Sequence, residues 1–453
     1  MLDRGDRPVS APANRLSAMT RERTARPSPA GTLARRLLGF STLPFLASVL
    51  PLIALPFMSR ASTTDDWTAL NIGLGVGTFA GAIGLVGWNI LGTPLVAMAE
   101  SDDERRELYG RSFYIRAAVV VVASLLSAVI ASLISPSSSW SVAAAFAVAG
   151  ALNGIGLSWY AVGVSSPSIA LWYEVVPRGI ATAVAIAVVL ITQDVLWYGI
   201  LLSLSIVLGT LAFHRRVLRR LWPPWPGLAR LGSDVGDMKA AWGVESIGSL
   251  YQNAPVPVAG LIASPVDVAA YASSDRIYRY GTLGVSAAGN ALQGWVLETT
   301  DAGSRRARNL ASFAVMGVIA AIGWVVLAVF GPLLSGVLFG ADKQGDPTAF
   351  QFLGIAFISV TMSTPLIRNI LIPARRDGFV LAVSMVAAVV GVAMMVVLGS
   401  TLGTTGVAIG FAVSETATLL GCIALASRVG LSPPRASTAT TGTPSDPEGD
   451  IRS

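Results

Sequence analysis

Two arginines three residues apart, Arg276 and Arg279, sit inside an otherwise largely uncharged stretch, 267–297, long enough to cross a membrane. That spacing places them side by side on one helix face. Counted from Asp267, they stand about 13 and 18 Å along the axis at 1.5 Å per residue, near the middle of a bilayer. A guanidinium offers a planar fork of donors that matches phosphate or carboxylate oxygens, so the pair is a candidate anion site. Asp275, four residues before Arg279, offsets one charge and leaves one over; the competing reading is that the three groups only hold helices together. Thr282, Ser286, Asn290 and Gln293 continue the stripe at helical spacing.

A second polar face runs through 242–263, where Glu245, Ser249 and Gln252 stand at i, i+4 and i+7 beside Asn253. These residues suit sugar hydroxyls, and Glu245 suits a coupling proton; the plain alternative is a hydrated Glu near the membrane surface. Glu415 lies deep in the last apolar stretch, either as a coupling site or as a packed, protonated acid. With Asp275 these make three candidate coupling carboxylates. Arg60, at the end of the first apolar stretch, is a candidate cavity or gate residue or else an ordinary interfacial Arg, whereas Arg368 is expected to snorkel, with a substrate role as the alternative. Trp159 and Tyr160 read as interfacial belt residues or, alternatively, as sugar platforms. Asp65-Asp66 and Asp102-Asp103 read as solvated loop charge rather than metal ligands.

These residues are carried by about twelve apolar segments of spanning length: 37–58, 71–99, 112–134, 140–162, 168–192, 195–213, 242–263, 267–297, 309–338, 349–372, 378–398 and 404–427. Hydrophobic residues make up 53% of the chain and charged residues 13%, with a mean hydropathy of +0.64, against about 25% charged in a soluble domain. The connections are too short for a soluble catalytic domain or a large external acceptor loop, so no enzyme is expected. One Cys (Cys422) and one His (His214) cannot build a disulfide framework, a Cys/His metal site or a His-dependent triad, and no cofactor or metal is expected. The net charge of +6 belongs to loops; with few aromatics among the basic runs, no nucleic-acid surface is expected.

Of the 32 Lys and Arg residues, 27 fall in alternate connections and tails, two (Arg60 and Lys343) on the opposite side, and three inside spans. The positive-inside rule then puts both termini in the cytoplasm. Residues 1–34 and 431–453 read as disordered cytoplasmic tails. Between them, 35–213 and 242–430 form two six-helix bundles joined by a basic linker, 214–241, with its Trp222-Pro223-Pro224-Trp225-Pro226 run. The expected architecture is all-α, two bundles across a V-shaped cavity. Gly73, Gly77 and Gly81 repeat every four residues, a spacing that lets helices approach closely. Pro44, Pro51 and Pro56 in the first span, with Pro255 and Pro257 in the seventh, place matched breaks in the two halves.

In order along the chain come Leu55-Pro56-Phe57-Met58-Ser59-Arg60, Trp159-Tyr160 with Gly163, Gln193-Asp194 with Tyr198, Ala269-Ala270-Tyr271, Leu338-Phe339-Gly340 and Gly403-x-x-Gly406. Over about 37–427 this series resembles the O-antigen and polysaccharide flippases of the multidrug/oligosaccharidyl-lipid/polysaccharide exporter superfamily. Ala161-Val162 depart from the aromatic and Gln residues many members carry there, so the resemblance does not reach the choice of glycan. It implies a monomeric, multi-pass inner-membrane carrier that moves a polyprenyl-(pyro)phosphate-linked glycan by alternating access, surrounded by membrane lipids and working with glycan polymerase and glycosyltransferase machinery. Such a carrier needs a wet, cationic cavity between the halves, for which Arg276, Arg279, Asn290, Gln252, Glu245 and Arg60 are the candidates. The alternative within the same superfamily is a multidrug or cation antiporter.

Overall fold

The computed structural model describes residues 53–299 and 301–429. The two tails and 37–52 of the first span, with Pro44 and Pro51, lie outside the described residues. Among the described residues the chain is helical with no strand. Helix α1 covers 53–60 and α2 Thr64–Leu85, the latter continued by Trp88–Gly92 and Thr93–Met98. Helix α3 is Asp102–Ile134 and α4 Trp140–Ala151, resumed at Ser158–Gly163. Helix α5 is Val176–Thr192 and α6 Leu196–Phe213. Helix α7 is Leu228–Asn253, carried on by Pro255–Ile262, and α8 is Pro265–Leu297. Helix α9 starts as Ala302–Val325 and runs on to Gly331–Phe339, and α10 is Pro347–Pro365, extended by Leu366–Leu371. Residues 377–402 form α11 and 404–429 form α12; Gly403, at φ 62 and ψ −144, turns one back on the other. Only glycine takes that conformation without cost.

The starts of these helices are written in local side chains. Thr63, Ser101, Ser264, Asp301 and Asp346 each accept a backbone N–H from the first turn of the helix that follows. Each satisfies a donor that the helix itself leaves unpaired. In the first half, the glycine repeat of α2 sets the packing. A Cβ on Gly73 would lie 2.4 Å from the Ala143 carbonyl oxygen, and one on Gly77 2.3 Å from that of Ala147. The backbones of α2 and α4 are therefore in direct contact, as the spacing leads one to expect.

Helix α4 breaks where Asn153, Gly154 and Gly156 interrupt it, and the break is stapled by charge. Arg116, fully buried, donates to the carbonyls of Gly154 (3.2 Å) and Gly156 (2.7 Å), with its guanidinium 5.3 Å from the Trp159 ring. Glu174 accepts from the Leu157 backbone and the Ser158 hydroxyl on the other side of the break. Carbonyls freed at membrane depth have no water to turn to, which is why a cation fits there. Arg116 therefore belongs inside the protein, a correction to counting it among loop charges.

The basic linker is partly helical and tied down. Its last part, Leu228 onward, is already helical and packs on the first half through Asp234, Met238 and Ala241, all buried. Arg111 grips Asp234 with a two-pronged contact, Nε to Oδ2 at 2.8 Å and Nη2 to Oδ1. Tyr114 donates to the Pro223 carbonyl at 2.6 Å. His214 donates Nδ1–H to the Leu221 carbonyl (2.8 Å), leaving Nε2 to accept from the Tyr109 hydroxyl (2.8 Å). The apolar and paired faces of 214–241 dock this segment instead of leaving it loose.

Eight described helices are long and apolar enough to cross a membrane. Neither α7 nor α8 is among them. Replacing Arg116 by Met should strand the two buried carbonyls of Gly154 and Gly156, costing about 2 kcal/mol or more. Arg106→Ala, which removes only an exposed pair, should cost at most about 1 kcal/mol. Thermal unfolding of the two purified variants in detergent checks the contrast; equal losses would remove the stapling role.

Candidate functional site

The two halves meet tightly at the charge-poor end. Ser59 donates to the Phe339 carbonyl (2.6 Å), Trp67 Nε1 to Ser273 Oγ (3.1 Å) and Thr68 Oγ1 to the Pro265 carbonyl (2.7 Å). Lys343, only 2% exposed, donates to the carbonyls of Ser59 (2.9 Å) and Ser62 (3.0 Å) and to Asp342 (2.9 Å). Arg60 donates to the Val337 carbonyl. Both cations that break the charge rule are thus spent on carbonyls across the join. Arg60 sits on this closure and not in the cavity.

One level deeper, Arg276 Nε donates to Asn71 Oδ1 of α2 at 2.8 Å. Arg279 Nε bonds Asp275 Oδ2 at 2.5 Å, and its Nη2 donates to the Gln252 carbonyl at 2.7 Å. A cavity of about 160 Å³ opens at this point. Its walls come from both halves: Asn71, Thr78, Phe146 and Tyr198 from the first, and Asn253, Asp275, Arg276 and Arg279 from the second. Asp275 Oδ1 is buried without a partner. Two guanidiniums against one carboxylate leave a net positive charge in the wall, next to a tyrosine and two asparagines. Such a wall can hold an anion and hydrogen-bond a polar headgroup.

Toward the arginine-rich end, α8 turns an exposed face made of Gly284, Ser286, Ala287, Asn290, Ala291 and Gly294, closed at its end by Trp295, whose ring lies under Arg308. Exposed faces of α3 and α11 instead carry Leu125, Leu133, Val389 and Val397, as lipid contact demands. This face of small and polar residues is unlike the lipid-facing ones, and with Asp275, Arg276 and Arg279 it leaves α8 short of the apolarity of a membrane-spanning helix. Helix α7 adds exposed Gln252. The bonds that tie α2 to α8 lie between Pro265 and Arg276.

The remaining candidates stand apart. Glu245 lies against Asn89 and the Gly87 backbone near the arginine-rich end, with one carboxylate oxygen buried and unpartnered. Glu415 accepts from the Tyr251 hydroxyl (2.9 Å) between α7 and α12, beside the Tyr251–Phe411 stack. Asn290 accepts from Arg368. Trp159 and Tyr160 are neither belt nor platform: they are 2% and 4% exposed in a cluster with Trp88, Tyr109 and Phe213. Read from the sequence, Asn71 has no cavity role, and Tyr198 enters only through the family resemblance, because nothing in their own spans shows which face meets the other half.

No protein-family model and no curated relative matches the sequence. Solved structures do. An inward-facing multidrug resistance transporter of the MATE family in the MOP superfamily matches with a TM-score of 0.60 at 14% identity, over 86% of this chain and 97% of that one. The lipid II flippase MurJ in an inward closed conformation matches with a TM-score of 0.69 at 10% identity, over 86% and 87%. The eukaryotic MATE transporter AtDTX14 matches with a TM-score of 0.50 at 13% identity, over 88% and 97%. All three are transporters, and the chain shares the fold of these polytopic membrane carriers.

Proposed function

We propose that the chain is a flippase that turns a polyprenyl-(pyro)phosphate-linked oligosaccharide, of the kind used for O-antigen or related surface polysaccharide, from the cytoplasmic to the outer leaflet of the inner membrane. The observation that carries this reading is the net positive charge of Arg276, Arg279 and Asp275 on a cavity wall shared by both halves. With both termini in the cytoplasm, as the charge asymmetry implies, the sealed end faces outward, and the small, polar face of α8 lines a wet cleft open to the cytoplasm. That is the state that loads. The units 35–213 and 242–430 then rock about the join, breaking the Lys343, Arg60 and Ser59 contacts to open outward. The sugar travels in the wet cleft, the phosphate on the guanidiniums, and the tail stays in lipid.

A specific observation favours the second reading, a multidrug or cation antiporter: the unpartnered Asp275 Oδ1 could meet a cation. Against it, the same carboxylate already holds Arg279, and a cation would face two guanidiniums.

Arg276→Ala or Arg279→Ala should abolish glycan export with membrane abundance intact. Losing one charge-assisted contact costs about 2 kcal/mol, roughly thirtyfold in affinity. Lys should rescue in part, since an ammonium keeps the charge and loses the fork. Arg276→Gln keeps a donor for Asn71 and drops the charge, so it should fail like Ala; normal export by Gln would instead support a purely structural role.

Coupling falls to the carboxylates. An inside-negative potential favours outward movement of the anion by about 2.3 kcal/mol per charge per 100 mV, whereas the emptied, cationic cavity must return. One of Glu245, Asp275 and Glu415 is expected to ease that step. Glu245→Gln, Asp275→Asn and Glu415→Gln, assayed separately for binding and for flipping, should give one variant that binds and does not turn over. Undiminished flipping in all three would leave the potential as the sole drive.

A further inference from the structure

Arg368 does not behave like a snorkelling residue. Pro365 lies inside α10, and the six residues after it, Leu366–Leu371, wind as a π-helix. Wide turns of this kind recur at functional sites because they re-aim one side chain. Here the guanidinium is aimed across to α8, where Nη1 donates to Asn290 Oδ1, instead of reaching along α10 toward the membrane surface. Gln293 Nε2 donates to the Arg368 carbonyl at 3.4 Å, fixing the backbone of that turn to the same face. Gly289 leaves the seat open: a Cβ there would meet Thr364 Cγ2 at 2.7 Å and stand 3.7 Å from Arg368 Nη1.

Charge and position then matter. Among the described residues no carboxylate pairs with Arg368. Its one side-chain partner is a neutral amide oxygen, which leaves most of its five N–H donors free. Asn290 is exposed on the polar face of α8. It follows Arg279 by eleven residues, about 16 Å at 1.5 Å per residue, and lies on nearly the same side of the helix. The two cationic groups therefore mark the mouth and the inner end of one polar track.

We propose that Arg368, held by Asn290, is a loading station for a lipid-borne phosphate at the mouth of the cleft, occupied before that phosphate reaches Arg276 and Arg279. The proposal rests on the flippase reading for its place in the cycle, but the station itself is tested by binding. Purified full-length protein is placed in phosphatidylcholine nanodiscs containing either undecaprenyl pyrophosphate or phosphatidylglycerol, and bound lipid is counted by native mass spectrometry. Arg368→Gln, which keeps a donor for Asn290 and loses the charge, should remove one bound phosphate lipid and leave the other in place. Arg276→Gln combined with Arg279→Gln should remove the complementary one. Arg368→Lys should retain part of the mouth binding.

Loss of undecaprenyl pyrophosphate in Arg368→Gln identifies the transported lipid as the source, and loss of phosphatidylglycerol alone identifies a bilayer headgroup; either supports the station. Unchanged occupancy of both lipids in Arg368→Gln, with unchanged thermal stability, would overturn it. Normal export by the Arg276 and Arg279 variants would sink the flippase mechanism and leave the Arg368 occupancy result standing, so the two failures are distinguishable.

Discussion

An arginine in the middle of a bilayer has to be hydrated, paired or bound, and Arg276 sets that condition for the rest of the structure. Insertion of such a charge costs about 2.5–3.5 kcal/mol even by lenient scales. Its partner is the neutral Asn71 across the join, and the adjacent carboxylate is held by Arg279. The charge therefore needs water or an anion. In the proposed cycle water reaches it along the small, polar face of α8, beyond the Pro265–Arg276 stretch where that helix is bonded to α2. On that reading an uncompensated charge and a wet cleft are one arrangement.

The two ends of the molecule solve different problems with the same groups. At the charge-poor end Lys343 and Arg60 cap carbonyls that belong to the opposite half. Those bonds are exchangeable, since water can take over each carbonyl when the end opens. At the arginine-rich end Arg111 and Asp234 make a forked, largely buried pair that fixes the start of α7 to the first half. The first kind of contact suits a gate and the second a hinge, because a desolvated forked pair is costly to separate.

Periodicity and charge made part of the fold readable: the glycine repeat of α2 and the turn at Gly403 stand where the residues put them, whereas α7 and α8, read as spans, fall short of spanning apolarity because polar and charged residues line them. The Arg276–Arg279 stripe was readable for the same reason, since charge inside an apolar run is conspicuous. What a single sequence hides is which face of each helix meets which neighbour. Nothing marks Asn71, or gives Tyr198 a place in the cavity, until the halves are placed together. Arg116 passed as a loop charge because its partners, the carbonyls of Gly154 and Gly156, are backbone atoms of another helix. Trp159 and Tyr160 passed as surface aromatics because composition does not distinguish a membrane belt from a core cluster. Arg368 read first as a snorkelling residue because its partner, Asn290, stands on another helix and the π-helical turn after Pro365 leaves no mark in the residues.

The central claim is that an anionic lipid, held by uncompensated guanidinium charge, is the cargo. The most direct test reconstitutes the purified protein in liposomes and follows leaflet exchange of one short fluorescent oligosaccharide attached to undecaprenyl pyrophosphate or to the uncharged polyprenol. The account predicts protein-dependent flipping of the pyrophosphate-linked form, faster with a potential negative on the loading side, and none of the uncharged form. Equal flipping of both forms, or transport of a lipophilic cation with neither lipid moving, would contradict it.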